Sequence, residues 1–532
     1  MTFVQPLAPV AESLAWSAAV AVLPLLAMLV LLVVFRVKPW LAALVAVGVS
    51  LLVAVTVYSM PVTSALSAGL EGAVFGVFPI MWTVVSAVFV YRLTVESGHF
   101  DVLTRAFARI SPDHSILTIV IAFLFGALLE AVAGFGTPIV VATVVLVGAG
   151  VAPVRAAAAA LVANAVGTPL GVMGTPMLTM SKVSSLPIDE IGPMVARQVC
   201  LIAVFVPLVL VAIVGGRDGL RRTWPAAVVV GFAFAVGQFV CATWFVVGLS
   251  NIAGAAAGLL ALMFLLRFWS PRADAERRVP EHAPDGVRRT VEAFVPYALI
   301  VVVFLISRIG PVESLLAKAT FSFAWPGVDV VTESGAVPPT ETFTLSLLTA
   351  PGTLVFVAAL LSIALLKVAS GDAVRCFTAS VVQLRWSFAT VTSVLALAYT
   401  MNLSGQTATI GQFLAGAGAG FALLSPVLGW LGVVVTGSNT ASNAMFGSVQ
   451  VSAAQQAGLP STVLVAGNMT GGTAGTPIAL QNLALVSSVQ GVGGSDRVLM
   501  RRLAPISVGM LAVFAILVWL QTTPVLSWMV PQ

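Results

Sequence analysis

Two membrane-length apolar stretches of this chain are interrupted at their centres by glycine, proline and small hydroxyl residues. The first runs Glu130-Ala-Val-Ala-Gly-Phe-Gly-Thr-Pro138 and returns through Asn164-Ala-Val-Gly-Thr-Pro169 and Gly174-Thr-Pro176. The second runs Thr436-Gly-Ser-Asn-Thr-Ala-Ser-Asn-Ala444 and returns through Asn468-Met-Thr-Gly-Gly-Thr-Ala-Gly-Thr-Pro477. Unpaired backbone at membrane depth is tolerated only where protein or a wet cavity receives it, so these breaks are expected to line a binding site. Their occurrence in both halves of the chain points to a secondary transporter.

The rest of the chain supports a membrane setting. Of 532 residues 59% are hydrophobic and 8% charged, with a mean hydropathy of +1.07, whereas roughly 25% of residues are charged in a soluble domain. The fold expected is an all-α polytopic membrane protein. The formal charge of +5 sits in short loops between apolar runs, where it sets orientation and makes no nucleic-acid surface. Cys200, Cys241 and Cys376 fall inside apolar runs without paired or metal-ligand spacing, so no disulfide framework is expected. The first apolar stretch, 17–34, is followed by Arg36 and Lys38, the reverse of a signal peptide, and reads as a permanent span.

Apolar runs of about 17 to 25 residues alternate with loops that are either basic or nearly free of Lys and Arg. The basic loops lie at Arg36 and Lys38, 92–109, Arg155, 217–222, 267–289, 367–385 and 497–502; the poor ones at 59–69, 248–251 and 403–410. Basic loops in the cytoplasm place both termini outside. This pattern enters the first broken region from the cytoplasm and the second from outside. The expectation is about twelve spans plus two re-entrant hairpins in inverted repeats. A first half, 1–222, contains hairpin 116–150 and broken helix 156–180; connecting spans occupy 223–270 and a cytoplasmic linker 271–289. The second half, 290–532, contains hairpin 412–456 and broken helix 463–489, with a long external loop at 312–342.

Few residues at membrane depth ionise. Glu130 reads as the one acid well away from an end of its segment, where a charge costs roughly 2.5 to 3.5 kcal/mol on insertion scales. It is expected to carry the coupled proton; capping the hairpin tip is the competing structural role. His99, His114 and His282 fall in cytoplasmic loops. Arg197, a few residues into its span, either attracts an anion or snorkels to the interface. Gly134, Gly136, Gly437, Gly471, Gly472 and Gly475 allow close backbone approach. Thr137, Asn164, Thr168, Ser438, Asn439, Thr440, Asn443, Asn468, Thr470, Thr476 and Gln481 supply neutral donors and acceptors. Half-helices starting at such breaks aim free N–H groups into a cavity and favour a carboxylate. Small-residue helix packing uses the same residue types and is the alternative. The glycine-rich 471–477 lacks a P-loop ending, no metal-ligand or nucleophile-base constellation occurs, and neither an enzyme nor a cofactor is expected.

The residues resemble the bacterial L-lactate permease family, carriers of lactate, glycolate and related 2-hydroxy monocarboxylates. The resemblance rests on Gly76-Val-Phe-Pro-Ile-Met-Trp82, the run 91–101, Gly126-Ala-Leu-Leu-Glu-Ala-Val-Ala-Gly-Phe-Gly-Thr-Pro138, Arg197-Gln198, Thr223-Trp-Pro-Ala-Ala227, 437–447, Ala453-Ala-Gln-Gln456 and Thr470-Gly-Gly472. It implies import across the plasma (inner) membrane by proton symport, and a wider group of inverted-repeat carriers, some working as elevators. The family pattern has Asp where this chain has Asn439 and Lys where it has Thr476, so a neutral pair stands for an ion pair. Ser438-Asn439-Thr440 also resembles the tripeptide of sodium-coupled carboxylate carriers. A Na⁺-coupled carrier of another organic anion, a dicarboxylate or sulfonate, therefore stays open, with Na⁺ near those three residues. A channel or sensor is a third reading. Expected partners are the small carboxylate, H⁺ or Na⁺ and the lipid bilayer, with a homo-oligomer open.

Overall fold

A helix needs about 20 apolar residues to cross the hydrocarbon core. The computed structural model describes residues 2–134, 136–269, 286–332 and 342–530. Among these, ten helices are long and apolar enough to cross, or eleven if the pair Leu14–Ala21 and Leu23–Val33, bent by 41°, is one span. The run Ile188–Trp244 holds 57 residues, about 85 Å of helix and far more than one bilayer thickness. Its backbone breaks at Gly216 (φ 63°, ψ −156°), a conformation open to glycine. Two of the expected crossings, on either side of the basic stretch 217–222, therefore share one continuous run.

The broken regions have the same succession of elements. In the first, Gly126–Val132 leads to a left-handed Gly136 (φ 80°), then Thr137–Gly148, Pro153–Gly167, a tight turn Thr168–Leu170 and Thr175–Ser184. In the second, Phe421–Thr436 leads to a left-handed Gly437 (φ 70°), then Asn439–Ala457, Ser461–Gly475, a tight turn Thr476–Ile478 and Leu480–Val486. Both 15-residue helices stop at a Thr-Pro step. Proline there has no N–H for the next helical hydrogen bond.

Small residues set how closely these helices pack. A Cβ added to Gly429 would collide with the Asn468 carbonyl, and one added to Gly471 with the Pro426 carbonyl, so Phe421–Thr436 and Ser461–Gly475 meet backbone to backbone. Elsewhere Gly72 and Gly76 let Val62–Phe75 lie against Leu395 and Thr392 of the helix Ser370–Ser404.

Three details differ from the sequence reading. The stretch 403–410 is no external loop: Ser370–Ser404 ends there and Gln406–Ala415 begins, with Gln406 bonded to Ser50 and Thr409 to Tyr58 in buried surroundings. Its polar residues have partners inside the protein, which removes the reason to place them in water. The segment 312–342 carries a helix, Gly310–Ala317, and short strands. Thr320–Ala324 pairs antiparallel with Thr342–Ser346, and Val330–Val331 pairs parallel with Phe3–Val4, tying the N-terminal residues to this segment. Of the linker 271–289, residues 271–285 lie outside the described residues, and 287–289 already belong to the helix Val287–Ser307.

Candidate functional site

The two broken regions meet at the hydroxyl of Thr168. Asn439 Nδ2 donates to Thr168 Oγ1 at 3.0 Å, Thr476 Oγ1 lies 3.3 Å from the same oxygen, and Thr168 in turn donates to the Ala165 carbonyl at 2.9 Å. Residues 271 and 308 positions apart in sequence therefore share one atom. Asn439 fits here because Gly472, on the facing helix, has no side chain: a Cβ there would collide with Asn439 Oδ1.

Beside this contact is a cavity of about 200 Å³, below the roughly 300 to 1,000 Å³ of pockets for drug-sized ligands. Of the residues expected at a site, Glu130, Gly136, Asn164, Thr168, Ser438, Asn439, Thr440 and Gln481 line it. Glu130 is 5% exposed and hydrogen-bonds Asn164, one helical turn before Thr168. Its carboxyl occupies space left by glycines: a Cβ on Gly171 would stand 2.8 Å from Glu130 Oε1, and one on Gly167 3.2 Å from its Cγ. The Gly167 carbonyl is held from behind by Asn251 Nδ2, and Asn251 by Gln238.

The second wall is the start of the helix Asn439–Ala457. Left-handed Gly437 turns the chain, Ser438 takes extended angles, and its Oγ accepts the Ala441 N–H as a helix cap. The cap and the helix dipole leave a positive end beside the cavity. None of the lining residues is Lys or Arg. Glu130 Oε2, Asn164 Oδ1 and Asn439 Oδ1 are buried acceptors without a hydrogen-bond donor among the described residues.

Other expected residues lie elsewhere. Asn443 donates to the Pro176 carbonyl and accepts from Asn468, which accepts from Gln450; Thr470 donates to Gln198, which donates to Gln521. These are buried ties between helices, the packing role. Thr476 is behind Thr168, Thr137 starts its helix through a backbone bond to Gly134, and Gly134 abuts Val172. Arg197 does not reach the cavity: its Nη1 donates to the Met529 carbonyl at 2.8 Å, in a separate apolar cleft with Leu201, Phe232 and Leu517.

Sequence reasoning missed part of the wall. Trp40 and Trp386, stacked with centroids 5.2 Å apart, line the cavity with Ser387, Thr390 and Asn482. Neither tryptophan stands near a break, so nothing in the sequence singled them out. A second membrane-depth acid was also missed. Glu71, in Val62–Phe75, is fully buried and within electrostatic reach of Lys182 and Tyr399. The reading of Glu130 as the sole central acid is therefore corrected.

Membrane-length helices around a polar cavity, with two interrupted helix pairs meeting at its edge, define a polytopic membrane carrier. The sequence pattern of the L-lactate permease family matches residues 17–525, and the chain belongs to that family. It is 34% identical to a glycolate permease of Escherichia coli over 95% of both chains. It is also 34% identical to an L-lactate permease of the same bacterium over 97% of both, and 32% identical to the L-lactate permease of Bacillus subtilis over the full length of both. The protein is a multi-pass permease of the plasma membrane.

Proposed function

We propose that the cavity beside Thr168 carries lactate, glycolate or a related small 2-hydroxy monocarboxylate into the cell, together with a proton held by Glu130. The observation that carries this reading is the pairing of opposite needs in one small space. The capped N-terminus of Asn439–Ala457 favours a carboxylate, while Glu130 Oε2, Asn164 Oδ1 and Asn439 Oδ1 lack donors. A 2-hydroxy acid supplies the anion and one donor, and a proton on Glu130 supplies another. Family membership and the names of the relatives support the same substrate class.

The broken regions form the paired hairpins and broken helices of an inverted repeat in this reading, with boundaries near 116–150, 156–180, 412–456 and 463–489. Ser438, Asn439 and Thr440 contact the substrate directly, and Thr476 acts through Thr168. Counterflow in proteoliposomes with labelled lactate, glycolate, malate and a small sulfonate, each with and without Na⁺, tests it. Exchange of lactate or glycolate that is indifferent to Na⁺ and follows an imposed pH gradient is expected. Exchange confined to the dicarboxylate or sulfonate, or strictly dependent on Na⁺, overturns it.

A further inference from the structure

A second cavity, of about 210 Å³, lies at the base of the first broken region and shares no lining residue with the first. Several chain segments start, end or bend at its level. The helix starting at His114, the one ending at Gly148, the one starting at Pro153, and the Gly216 break of the long run all meet there. Arg155 and the basic stretch 217–222 belong to loops that the charge pattern assigns to the cytoplasm. Helix ends and basic residues together suit the headgroup level of the inner leaflet.

Its walls carry two guanidiniums. Arg155 is pinned by an Nη1 bond to the Val214 carbonyl at 3.0 Å, and half-buried Arg222 comes from beyond the Gly216 break. The one acid in the wall, Asp113, accepts the backbone N–H groups of Ser115 at 2.7 Å and Ile116 at 3.2 Å through Oδ1, capping that helix. The lining holds two arginines against one aspartate. Arg217 and Arg221 stand exposed nearby, against Asp218. Guanidinium pairs take phosphate oxygens through two parallel bonds each, and basic pockets between helices on the cytoplasmic side suit anionic headgroups.

We propose that this pocket binds a phosphate-class oxyanion, carried by an anionic phospholipid of the inner leaflet, and that the bound group fastens the base of the first broken region. His114 Nε2 already joins one arm to the other through the Ala149 carbonyl at 2.9 Å. An oxyanion between Arg155 and Arg222 adds a tie between Pro153–Gly167 and the part of the long run after Gly216. The site is independent of which substrate the carrier moves.

The test uses the full-length protein in nanodiscs of phosphatidylcholine, with and without phosphatidylglycerol, and in a third arm phosphatidylcholine with millimolar inorganic phosphate. Melting temperature and the number of co-purified lipids by native mass spectrometry are read for the wild type, Arg155→Gln, Arg222→Gln and the charge-retaining Arg155→Lys. Phosphatidylglycerol is expected to raise the melting temperature of the wild type by a few degrees, and to do so less in either Gln variant, with Arg155→Lys in between. An equal rise in wild type and both Gln variants overturns the site. A rise with inorganic phosphate and none with phosphatidylglycerol overturns the lipid source while keeping the oxyanion pocket. If the Gln variants do not fold, wild-type protein showing no lipid-dependent rise and no retained phosphatidylglycerol overturns the proposal by itself.

Discussion

Replacing Gly472 by alanine tests the meeting point of the two broken regions with one methyl group. Gly472 has ordinary helical angles, so the substitution creates no backbone strain. Its new Cβ would run into Asn439 Oδ1 and stand 2.8 Å from Val433 Cγ2. Forcing a methyl into a packed site costs typically 1 to 3 kcal/mol. Turning the Asn439 amide away also breaks its bond to Thr168, a further loss of about 0.5 to 1.5 kcal/mol. Against this, alanine in a helix gains about 1 kcal/mol over glycine. The balance is a net loss centred near 2 kcal/mol, or about thirtyfold if it falls wholly on substrate binding. Gly509→Ala is the control, because nothing lies within 4 Å of its Cβ position and only the helix-propensity gain applies. Thermal unfolding of the purified protein and the KM for lactate counterflow are the two readouts. Gly472→Ala should melt lower and show a raised KM, while Gly509→Ala matches or exceeds the wild type in stability. If Gly472→Ala equals Gly509→Ala in both, Asn439 is not held as described and the meeting at Thr168 loses its support.

Glu130→Gln should abolish uphill, pH-driven uptake and spare part of the exchange down a substrate gradient; normal accumulation by that variant would rule Glu130 out as proton carrier. Thr476→Lys alone buries a cation beside Thr168 and should damage stability or uptake, and adding Asn439→Asp should restore part of it. Strict additivity of the two changes in a double-mutant cycle would place the residues in separate environments. Pro112→Cys and Ala417→Cys, both at exposed positions, should react with a membrane-impermeant thiol reagent from opposite faces. Reaction from the same face contradicts the inverted arrangement of the two broken regions.

The breaks were legible because glycine and proline change the backbone itself. Gly136 and Gly437 turn in the left-handed region, and Thr168-Pro169 and Thr476-Pro477 end helices, whatever surrounds them. What each neutral polar residue faces was not legible. Asn443 and Asn468 have the same residue type and neighbourhood as Asn164 and Asn439, yet spend their bonds on Pro176 and Gln450 in helix packing. Only the rotation of each helix separates the two roles, and alanine- and glycine-rich helices with little amphipathicity leave that rotation unspecified. Trp40 and Trp386 lie 346 positions apart on unbroken helices, and their contact is purely tertiary. Glu71 lies just past the charge-poor stretch 59–69, and the structure buries it completely.

Thr168 ties the two broken regions together: its hydroxyl donates to the Ala165 carbonyl and accepts from Asn439, while Thr476, whose own hydroxyl donates to the Gly472 carbonyl, packs 3.3 Å away. If the second broken region moved relative to the first, the bond from Asn439 to this hydroxyl at the cavity edge would have to break. A carrier that kept this bond throughout its cycle would move the two regions as one unit, and the relative motion would fall on the other side of the cavity. There the wall is made of flat indole faces, Trp40 against Trp386. Stacked rings have no hydrogen-bond register to lose, so a shift at that surface would cost less than one that breaks the Asn439–Thr168 bond.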